Sequence, residues 1–141
     1  MNSTFKEKIK ARFIGQGTII LGDVTIEENV WIGYYCLLDG LNAPIIIGKN
    51  SVIASYAAIY THNTMWRDIG FGEKIIANVI IGENTHIGHG ALIVPKENGE
   101  IVIGDHVIIH AHAVVSKSVP SYHIYTKDGN IKPIMKNIRK F

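Results

Sequence analysis

The chain has 141 residues, of which 47% are hydrophobic and 18% are charged, and its formal net charge is +2. This length is typical of one domain, and such a chain can bury about two thirds of the surface that it exposes when unfolded. A single cysteine excludes an internal disulfide and fits a reducing compartment. No segment approaches the roughly 20 apolar residues of a membrane span. We therefore expect one domain over residues 1–141, in the cytoplasm.

Basic residues are concentrated at the two ends of the chain. Eight of the 14 Lys and Arg residues lie within the first twelve and the last ten positions. A basic tail can meet nucleic acid, anionic lipid or the phosphates of a small ligand, but the usual explanation, which we favour, is a solvated face of a terminal helix. We expect a helical tail, with no nucleic-acid partner and no insertion into a membrane.

From residue 14 onwards, aliphatic residues recur every six positions. The rhythm runs through fifteen units in four stretches: Ile14 to Leu38, Ile47 to Ile59, Ile75 to Ile93, and Ile103 to Val115. A period of six places successive side chains about 240° apart on an α-helix, so it does not form one helical stripe. The many β-branched residues favour strands instead.

Each six-residue unit pairs a large aliphatic residue with a small residue four positions later, and a glycine often follows the aliphatic one. This pattern suits a short strand followed by a tight bend. Three units close a triangular coil of eighteen residues, and stacked coils bury the core together. We predict a β-helix of about five coils over residues 14–120, preceded by a short N-terminal segment and followed by an extension over 121–141.

The rhythm is interrupted three times. Three extra residues follow Leu38, ten follow Ile59 and four follow Ile93. The longest break begins within the stretch IYTHNTMWRD and predicts one extruded loop over about 63–74, since insertions in solenoids lie at corners and often form the binding face. Counting the units in threes predicts that His62 shares one edge with His89, Gly90 and His112.

Two stretches of sequence resemble a known family. The hexad pattern is similar to that of the hexapeptide-repeat proteins, which form an all-β, left-handed parallel β-helix. The stretch AVVSKSVPSY at 113–122 resembles AVVTKDVPPY of the sugar and xenobiotic O-acetyltransferases of this family, and THN at 61–63 occupies the place of their catalytic histidine. The resemblance implies a homotrimeric O-acetyltransferase that transfers an acetyl group from acetyl-coenzyme A, bound between two subunits, to a hydroxyl of a sugar or saccharide.

The resemblance also assigns roles to individual residues. His62 is the expected base, because a sugar hydroxyl is a poor nucleophile at neutral pH and imidazole is suited to accept its proton. The backbone N–H of His89 is expected to stabilise the oxyanion. The remaining assignments are Asn63, Trp66, Arg67, Asp68 and His86 for the acceptor, and Gly88, Gly90, Ala91, Lys117, Lys132 and Lys136 for acetyl-coenzyme A. No metal is expected.

Some assignments leave alternatives open. Trp66 offers a flat surface for a sugar ring or a cofactor arm, but it can also anchor the loop on the coil wall or on a neighbouring subunit. The family's GNPAK segment is replaced here by GNIKPIMK at 129–136, with two residues inserted before Pro133. The lysines are therefore only loose candidates for the nucleotide phosphates. The acceptor stays open among a polysaccharide sugar or its nucleotide-linked precursor, a galactoside-like sugar and an antibiotic.

Two other functions are compatible with the repeat. IGHGALIV at 87–94 resembles a coil of the γ-type carbonic anhydrases, whose zinc needs three histidines, but Val94 stands where the second ligand is expected. A catalytically silent β-helix that scaffolds a partner is the other alternative. The loop beside His62 argues against it, since a scaffold needs no base at the root of an extruded loop.

Overall fold

The computed structural model of the protein describes residues 8–135. Almost all regular structure in this range is strand, and no helix there has the length and apolar character that crossing a bilayer requires. The strands in chain order are β1 (Phe13–Ile14), β2 (Ile19–Ile26), β3 (Trp31–Ile32), β4 (Leu37–Ile47), β5 (Val52–Ile53), β6 (Ala58–Tyr60), β7 (His62–Asn63), β8 (Ile75–Ile81), β9 (His86–Ile87), β10 (Leu92–Ile93), β11 (Gly99–Ile103), β12 (Ile108–Ile109), β13 (Val114–Val115), β14 (His123–Tyr125) and β15 (Ile131–Pro133). One short helix, α1 (Met65–Asp68), lies between β7 and β8.

The strands form the three faces of a prism. The first face stacks β1, β3, β5, β9, β12 and β14 in parallel. The second face stacks the beginnings of β2 and β4 with β6, β10 and β13, and the third stacks the ends of β2 and β4 with β8 and β11. The result is a left-handed parallel β-helix of about five turns, which confirms the fold predicted from the six-residue period.

The core consists of the aliphatic residues of the repeat, stacked in register. On the first face, Ile32 lies over Ile53 and Ile53 over Ile87, and all three side chains are fully buried. Small residues such as Cys36 and Ala57 fill the buried corners. One coil leaves its apolar side open above and below, so each coil depends on its neighbours for burial.

One unit of the predicted repeat is not part of a wall. Ile75 pairs antiparallel with Asn63, outside the prism, and the third face resumes only further along β8. The real interruption therefore runs from Ile59 to the wall residues around Ile81. Ile75 and Ile81 are six residues apart in the sequence, as two wall units would be. In the structure, however, Ile75 pairs with β7 of the arm and does not stack on a neighbouring coil.

The C-terminal extension was predicted to be helical, and its described part is not. β14 and β15 form an antiparallel pair at the end of the prism, with Ile124 opposite Lys132. The Tyr125 hydroxyl donates a hydrogen bond to the carbonyl of Val114 at 2.8 Å and helps to close the last coil. Residues 136–141, and with them Lys136, lie outside the described residues.

Candidate functional site

All three interruptions of the repeat leave the prism at one corner, between the second and third faces. We call this corner the loop corner; it comprises residues 39–44, 60–78, 94–100 and 116–118 of successive coils. The other two corners are tight turns in every coil, as the unbroken six-residue spacing requires. Every segment that is free to vary in length is therefore found along a single edge, which makes this edge the first candidate for a site.

The longest of these segments forms an arm, which we define as residues 61–76. Its root is a two-residue antiparallel ladder in which His62 lies opposite Ile76 and Asn63 opposite Ile75. The Asn63 amide donates to the Pro95 carbonyl of the next coil at 3.1 Å and accepts from the Met65 backbone N–H at 3.0 Å. Asn63 thus holds the arm to the prism. Its side chain already uses its amide N–H and its oxygen in these bonds, so it has little hydrogen-bonding capacity left for the predicted contact with the acceptor.

The tip of the arm is exposed and partly apolar. Helix α1 carries Trp66, Arg67 and Asp68 on the surface, and Phe71, which follows it, is 81% exposed. Asp68 accepts a hydrogen bond from the Thr64 hydroxyl at 2.8 Å, so the carboxylate is already oriented by the arm itself. The three predicted acceptor residues are brought together, but in this chain they face solvent.

His62 lies at the root of the arm with its two ring nitrogens in different surroundings. About a quarter of its side chain is exposed. Nδ1 is fully buried and is the one buried side-chain nitrogen or oxygen between residues 8 and 135 that has no hydrogen-bond partner. Nε2 is not among the buried nitrogens that lack a partner. The imidazole and the Tyr60 ring are nearly perpendicular, with 5.8 Å between their centroids. The exposed part of the side chain therefore lies at the root of the arm, where a ligand can approach it.

The carboxylate of Asp39 faces the buried nitrogen. Asp39 is only 7% exposed, and its Oδ2 lies 3.8 Å from Nδ1 of His62. Its other oxygen, Oδ1, accepts the backbone N–H of Leu41 at 3.1 Å, and its backbone carbonyl accepts the hydroxyl of buried Thr61 at 2.9 Å. The second and third coils thus place an acid and an imidazole side by side on the loop corner.

Asp39 was missed in the reading of the sequence, although a signal was present. Asp39 follows Leu38 and Tyr60 follows Ile59, and both pairs are in register on the second face. The interruption after Leu38 therefore leaves the same corner as the arm one coil later. An acid at the start of that shorter interruption could have been recognised as a neighbour of the His62 region.

The prediction that His62, His89 and His112 share one edge is wrong, because in a single chain His62 lies at a different corner from His89 and His112. Ile59 pairs with Ile93, so the residues below His62 are Pro95 and Lys96. His89 instead lies at the corner between the first and second faces, which we call the aromatic corner. There four rings follow one another at 5.4 to 5.5 Å between successive centroids, in the order Tyr35, Tyr56, His89 and His112; the first pair is stacked, the second tilted and the third T-shaped. A side of the prism, roughly 15–20 Å at about 3.3 Å per residue, separates the two corners.

The turn at 88–91 has its own features. The Ala91 N–H donates to the Gly88 carbonyl at 3.1 Å, and Gly90 has a φ of 68°, which together define a type II turn with His89 at its second position. A Cβ on Gly90 would lie 2.6 Å from Nδ1 of His112, so glycine is required both by the backbone and by the contact. The backbone N–H of His89 donates no hydrogen bond to an atom within residues 8–135.

The remaining predicted residues fall into separate groups. His86 lies on the outer side of the first face between Val52 and Ile108, where burial lowers the pKa of its imidazole. It is therefore near the aromatic corner and not near the arm. Lys132, in β15, projects from the end of the same face. Lys117 lies on the loop corner, two coils beyond His62.

Lys117 lines a cleft of about 390 Å³ near the C-terminal end of the loop corner. The other lining residues are Lys96, Glu97, Val114, Ser116 and Tyr125. Lys96 belongs to the interruption after Ile93, so a variable segment again contributes to this edge. Coils are stacked about 4.8 Å apart, which places the cleft roughly 5–10 Å from the His62 level along the prism axis. Among the residues described, no three His, Cys, Asp or Glu side chains are grouped so that they could hold a metal ion.

Comparison with known proteins agrees with this architecture. No family model matches the chain. Among curated proteins, a serine acetyltransferase of Staphylococcus xylosus is 32% identical over 88% of this chain and 58% of its own length, and one of Staphylococcus aureus is 31% identical over 88% and 59%. The chain therefore spans less than two thirds of the length of these relatives.

Solved structures extend the comparison. A maltose O-acetyltransferase from Clostridium difficile superposes with a TM-score of 0.75 at 25% identity, over 96% of this chain and 75% of the other. In sequence and in fold, the chain is therefore similar to acyltransferases of the hexapeptide-repeat type. The N-acyltransferase AntD from Bacillus cereus, solved in complex with dTDP and 3-hydroxybutyryl-CoA, shares the fold, with a TM-score of 0.71 at 22% identity over 93% of this chain and 80% of the other.

Proposed function

We propose that the protein transfers an acetyl group from acetyl-coenzyme A to a hydroxyl of a sugar or saccharide, with His62 as the general base. The observation that supports this most directly is the His62 ring, whose Nδ1 is buried beside the Asp39 carboxylate while a quarter of the side chain stays exposed at the root of the arm. The similarity to a maltose O-acetyltransferase and to serine acetyltransferases, all of which are named for acetyl transfer, agrees with this chemistry.

The reaction follows from this arrangement in two steps. Nε2 of His62 accepts the hydroxyl proton as the hydroxyl oxygen attacks the thioester carbonyl carbon, which forms a tetrahedral intermediate with a negative oxygen. When the carbon–sulfur bond breaks, the departing thiolate takes the proton back from the imidazolium. The products are the acetyl ester and free coenzyme A, and His62 returns to its starting state.

The oxyanion of the tetrahedral intermediate needs a hydrogen-bond donor. We propose that the free backbone N–H of His89 fills this role from a second copy, in a homotrimer whose loop corner meets the aromatic corner of its neighbour. One oxyanion donor typically contributes about 2.7–4 kcal/mol. The same contact would bring Gly88, Gly90, Ala91 and His86 of the second copy to the donor and acceptor.

The cleft at Lys96 and Lys117 is the proposed site for the phosphates of acetyl-coenzyme A. Its two ammonium groups outnumber the single carboxylate of Glu97, and ammonium groups bind phosphate as point charges. It lies on the same edge as His62, so a ligand extended along the prism can reach both. Lys132 lies on another face, and we do not include it in this site.

The arm is the proposed acceptor contact. Trp66 provides an exposed ring surface, and Arg67 and Asp68 provide charged hydrogen-bonding groups at the same place. These are the groups that bind hydroxyl-rich ligands. The buried, unpaired thiol of Cys36 fits a reducing compartment, so we place this reaction in the cytoplasm.

L-serine is the second candidate acceptor, because the curated relatives are serine acetyltransferases. Both acceptors present a hydroxyl, so the same base serves either. A panel of maltose, other glycosides, nucleotide-linked sugars, amino sugars and L-serine separates the two, with coenzyme A release followed by a thiol reagent.

The test of the base uses His62→Ala on the best acceptor of this panel. We expect turnover to fall by about 10²–10⁴-fold, the usual contribution of a general base. His106→Asn, which removes an exposed imidazole from the corner between the third and first faces and supplies a residue that tolerates the positive φ there, is the matched control and should retain its rate. Full turnover by His62→Ala would contradict the assignment.

A further inference from the structure

We propose that Asp39 is a positioning residue for His62: its carboxylate fixes the Nδ1-protonated tautomer and stabilises the imidazolium that forms during transfer. The inference rests on the proposed function, since it assigns a role to Asp39 in that reaction. Asp39 is not a residue that the sequence pattern indicated, and the six-residue repeat does not require an acid at its position.

Burial supports this role. Asp39 is 7% exposed and sits in a coil whose other inward and corner residues are apolar or small. A carboxylate in such a place needs partners, because burying a charge without them is costly. One backbone N–H, that of Leu41, reaches Oδ1. Within the described part of the chain, the His62 imidazole is the basic side chain that lies within 4.0 Å of the Asp39 carboxylate, with 3.8 Å between Nδ1 and Oδ2.

The imidazole supplies the complementary observation. Nδ1 of His62 is buried without a hydrogen-bond partner, and an unsatisfied buried polar atom costs about 1–3 kcal/mol. The separation of 3.8 Å between Nδ1 and Oδ2 is too long for a hydrogen bond. Catalytic hydrogen bonds are often long without substrate and shorten in the loaded site. A small rotation of either side chain would satisfy both atoms together.

Few other charged or titratable groups lie near enough to the His62 ring to take the place of Asp39. The charged or titratable groups near the ring are Asp39 from β4, Tyr60 from β6 and, one coil further on, Lys96 after β10. Tyr60 contacts the ring by its edge and presents no carboxylate. Thr61, fully buried, ties its own coil to the Asp39 backbone, so the two side chains are held at adjacent levels.

The pairing explains how His62 could act as a base through the other nitrogen. A proton held on Nδ1 by Asp39 leaves the Nε2 lone pair directed to the exposed side, where the hydroxyl would arrive. When Nε2 takes up the proton, the ring becomes a cation beside a carboxylate that is only 7% exposed, and this attraction stabilises the charge. Asp39 itself keeps its charge throughout.

Asp39→Asn is the test. Asparagine has the same shape and can still accept the Leu41 N–H, so the fold should be kept, as the melting temperature will show. We expect kcat to fall by about 10–10³-fold with little change in KM for acetyl-coenzyme A, and the acid limb of the kcat profile to move to lower pH, because the imidazole loses its proton more readily without the carboxylate. Asp39→Glu, which retains the charge, should be more active than Asp39→Asn.

Asp23→Asn is the matched control. Asp23 lies at the matching corner of the coil before Asp39, outside the residues that define the loop corner, and it is exposed and pairs with Lys8 at 2.7 Å. This variant should retain the rate and the pH profile. A wild-type kcat and an unmoved acid limb in Asp39→Asn would overturn the proposal, and so would a loss of rate that comes only with a lower melting temperature.

The tautomer can also be measured without any acceptor. In the ¹⁵N spectrum of protein labelled at histidine, His62 should be protonated at Nδ1 above neutral pH, and Asp39→Asn should shift it towards the Nε2-protonated form. Protonation of Nε2 in the unaltered protein would overturn the proposal. If His62→Ala is inactive while Asp39→Asn is fully active, only the role of Asp39 fails; if His62→Ala is active, the proposed base fails as well.

Discussion

At the level of single residues, the position of a side chain in its coil decides what its atoms can do. The strand before His62 ends at Tyr60, and His62 begins the short ladder at the root of the arm. In this position Nδ1 of His62 is buried, while a quarter of the side chain stays exposed. The reactivity that we propose for His62 therefore depends on the coil wall as much as on the imidazole.

Cys36 provides the contrasting case at the same scale. It is 2% exposed, its sulfur lies 3.2 Å from the Ala54 carbonyl, and burial raises the pKa of the thiol. The burial and the raised pKa both disfavour the thiolate, which is the reactive form of cysteine. The small corner position that it occupies therefore serves packing, in agreement with the preference of the repeat for small residues there.

We predict that Cys36 of the folded protein reacts with iodoacetamide at pH 8 at least about 10³-fold more slowly than in the unfolded chain, because labelling requires the coil to open. The measurement is labelling over time by mass spectrometry, with and without 6 M urea. Equal rates in the two conditions would show that the corner is open in the folded state.

At the level of elements, the wall strands and the arm follow different rules. The six-residue period can be detected in the sequence because each wall unit carries its own large and small residue, independently of the segments that surround it. Residues in the arm have no such period. Their structure depends on one antiparallel contact, between β7 and β8, which a search for repeats does not detect.

This difference explains the main error in the predicted site. Ile75 stands six residues before Ile81 and was counted as a wall unit, although it pairs with Asn63 in the arm. The extra unit advanced every later coil by one face and moved His89 to the corner of His62. Without it, Ile87 falls on the first face, and all three interruptions follow the second face, as observed.

The arm should be separable from the prism. Asn63 and Ile75 are opposite each other, so replacing residues 64–74 by Asn-Gly joins them with a two-residue hairpin turn. We expect the melting temperature to change by only a few degrees, since helix α1 has no buried residue. Acceptor kcat/KM should fall by about 10–10²-fold, while KM for acetyl-coenzyme A stays near its original value.

Trp66→Ala is the companion variant for this experiment. If the exposed ring contacts the acceptor, the single change should reproduce much of the loss in acceptor kcat/KM without altering stability. Unchanged acceptor kinetics in the shortened chain would contradict the proposed role of the arm. A large drop in melting temperature would instead assign the arm to packing.

At the level of the whole molecule, the two halves of the proposed site lie at different corners. His62 and the phosphate cleft are on the loop corner, and the free N–H of His89 is on the aromatic corner. A side of the prism separates them in one chain. A reaction that uses both must therefore join two copies, and neither copy alone would have a complete site.

The His89 N–H can be removed without changing the turn. Position two of a type II turn favours proline, so His89→Pro should fold normally while it lacks the donor. His89→Ala keeps the donor and is its control. We expect turnover to fall by about 10²–10³-fold in His89→Pro and to stay near the original value in His89→Ala.

The most direct test of the two-copy site is complementation between His62→Ala and His89→Pro. Each variant alone should be nearly inactive, but co-expressed chains carrying different tags, purified as mixed oligomers, should recover about a quarter to a third of the original turnover, because that share of interfaces pairs an intact His62 with an intact His89 turn. The double variant should recover nothing when mixed with itself. If the mixed oligomers are as inactive as the parent variants, the site does not combine two copies.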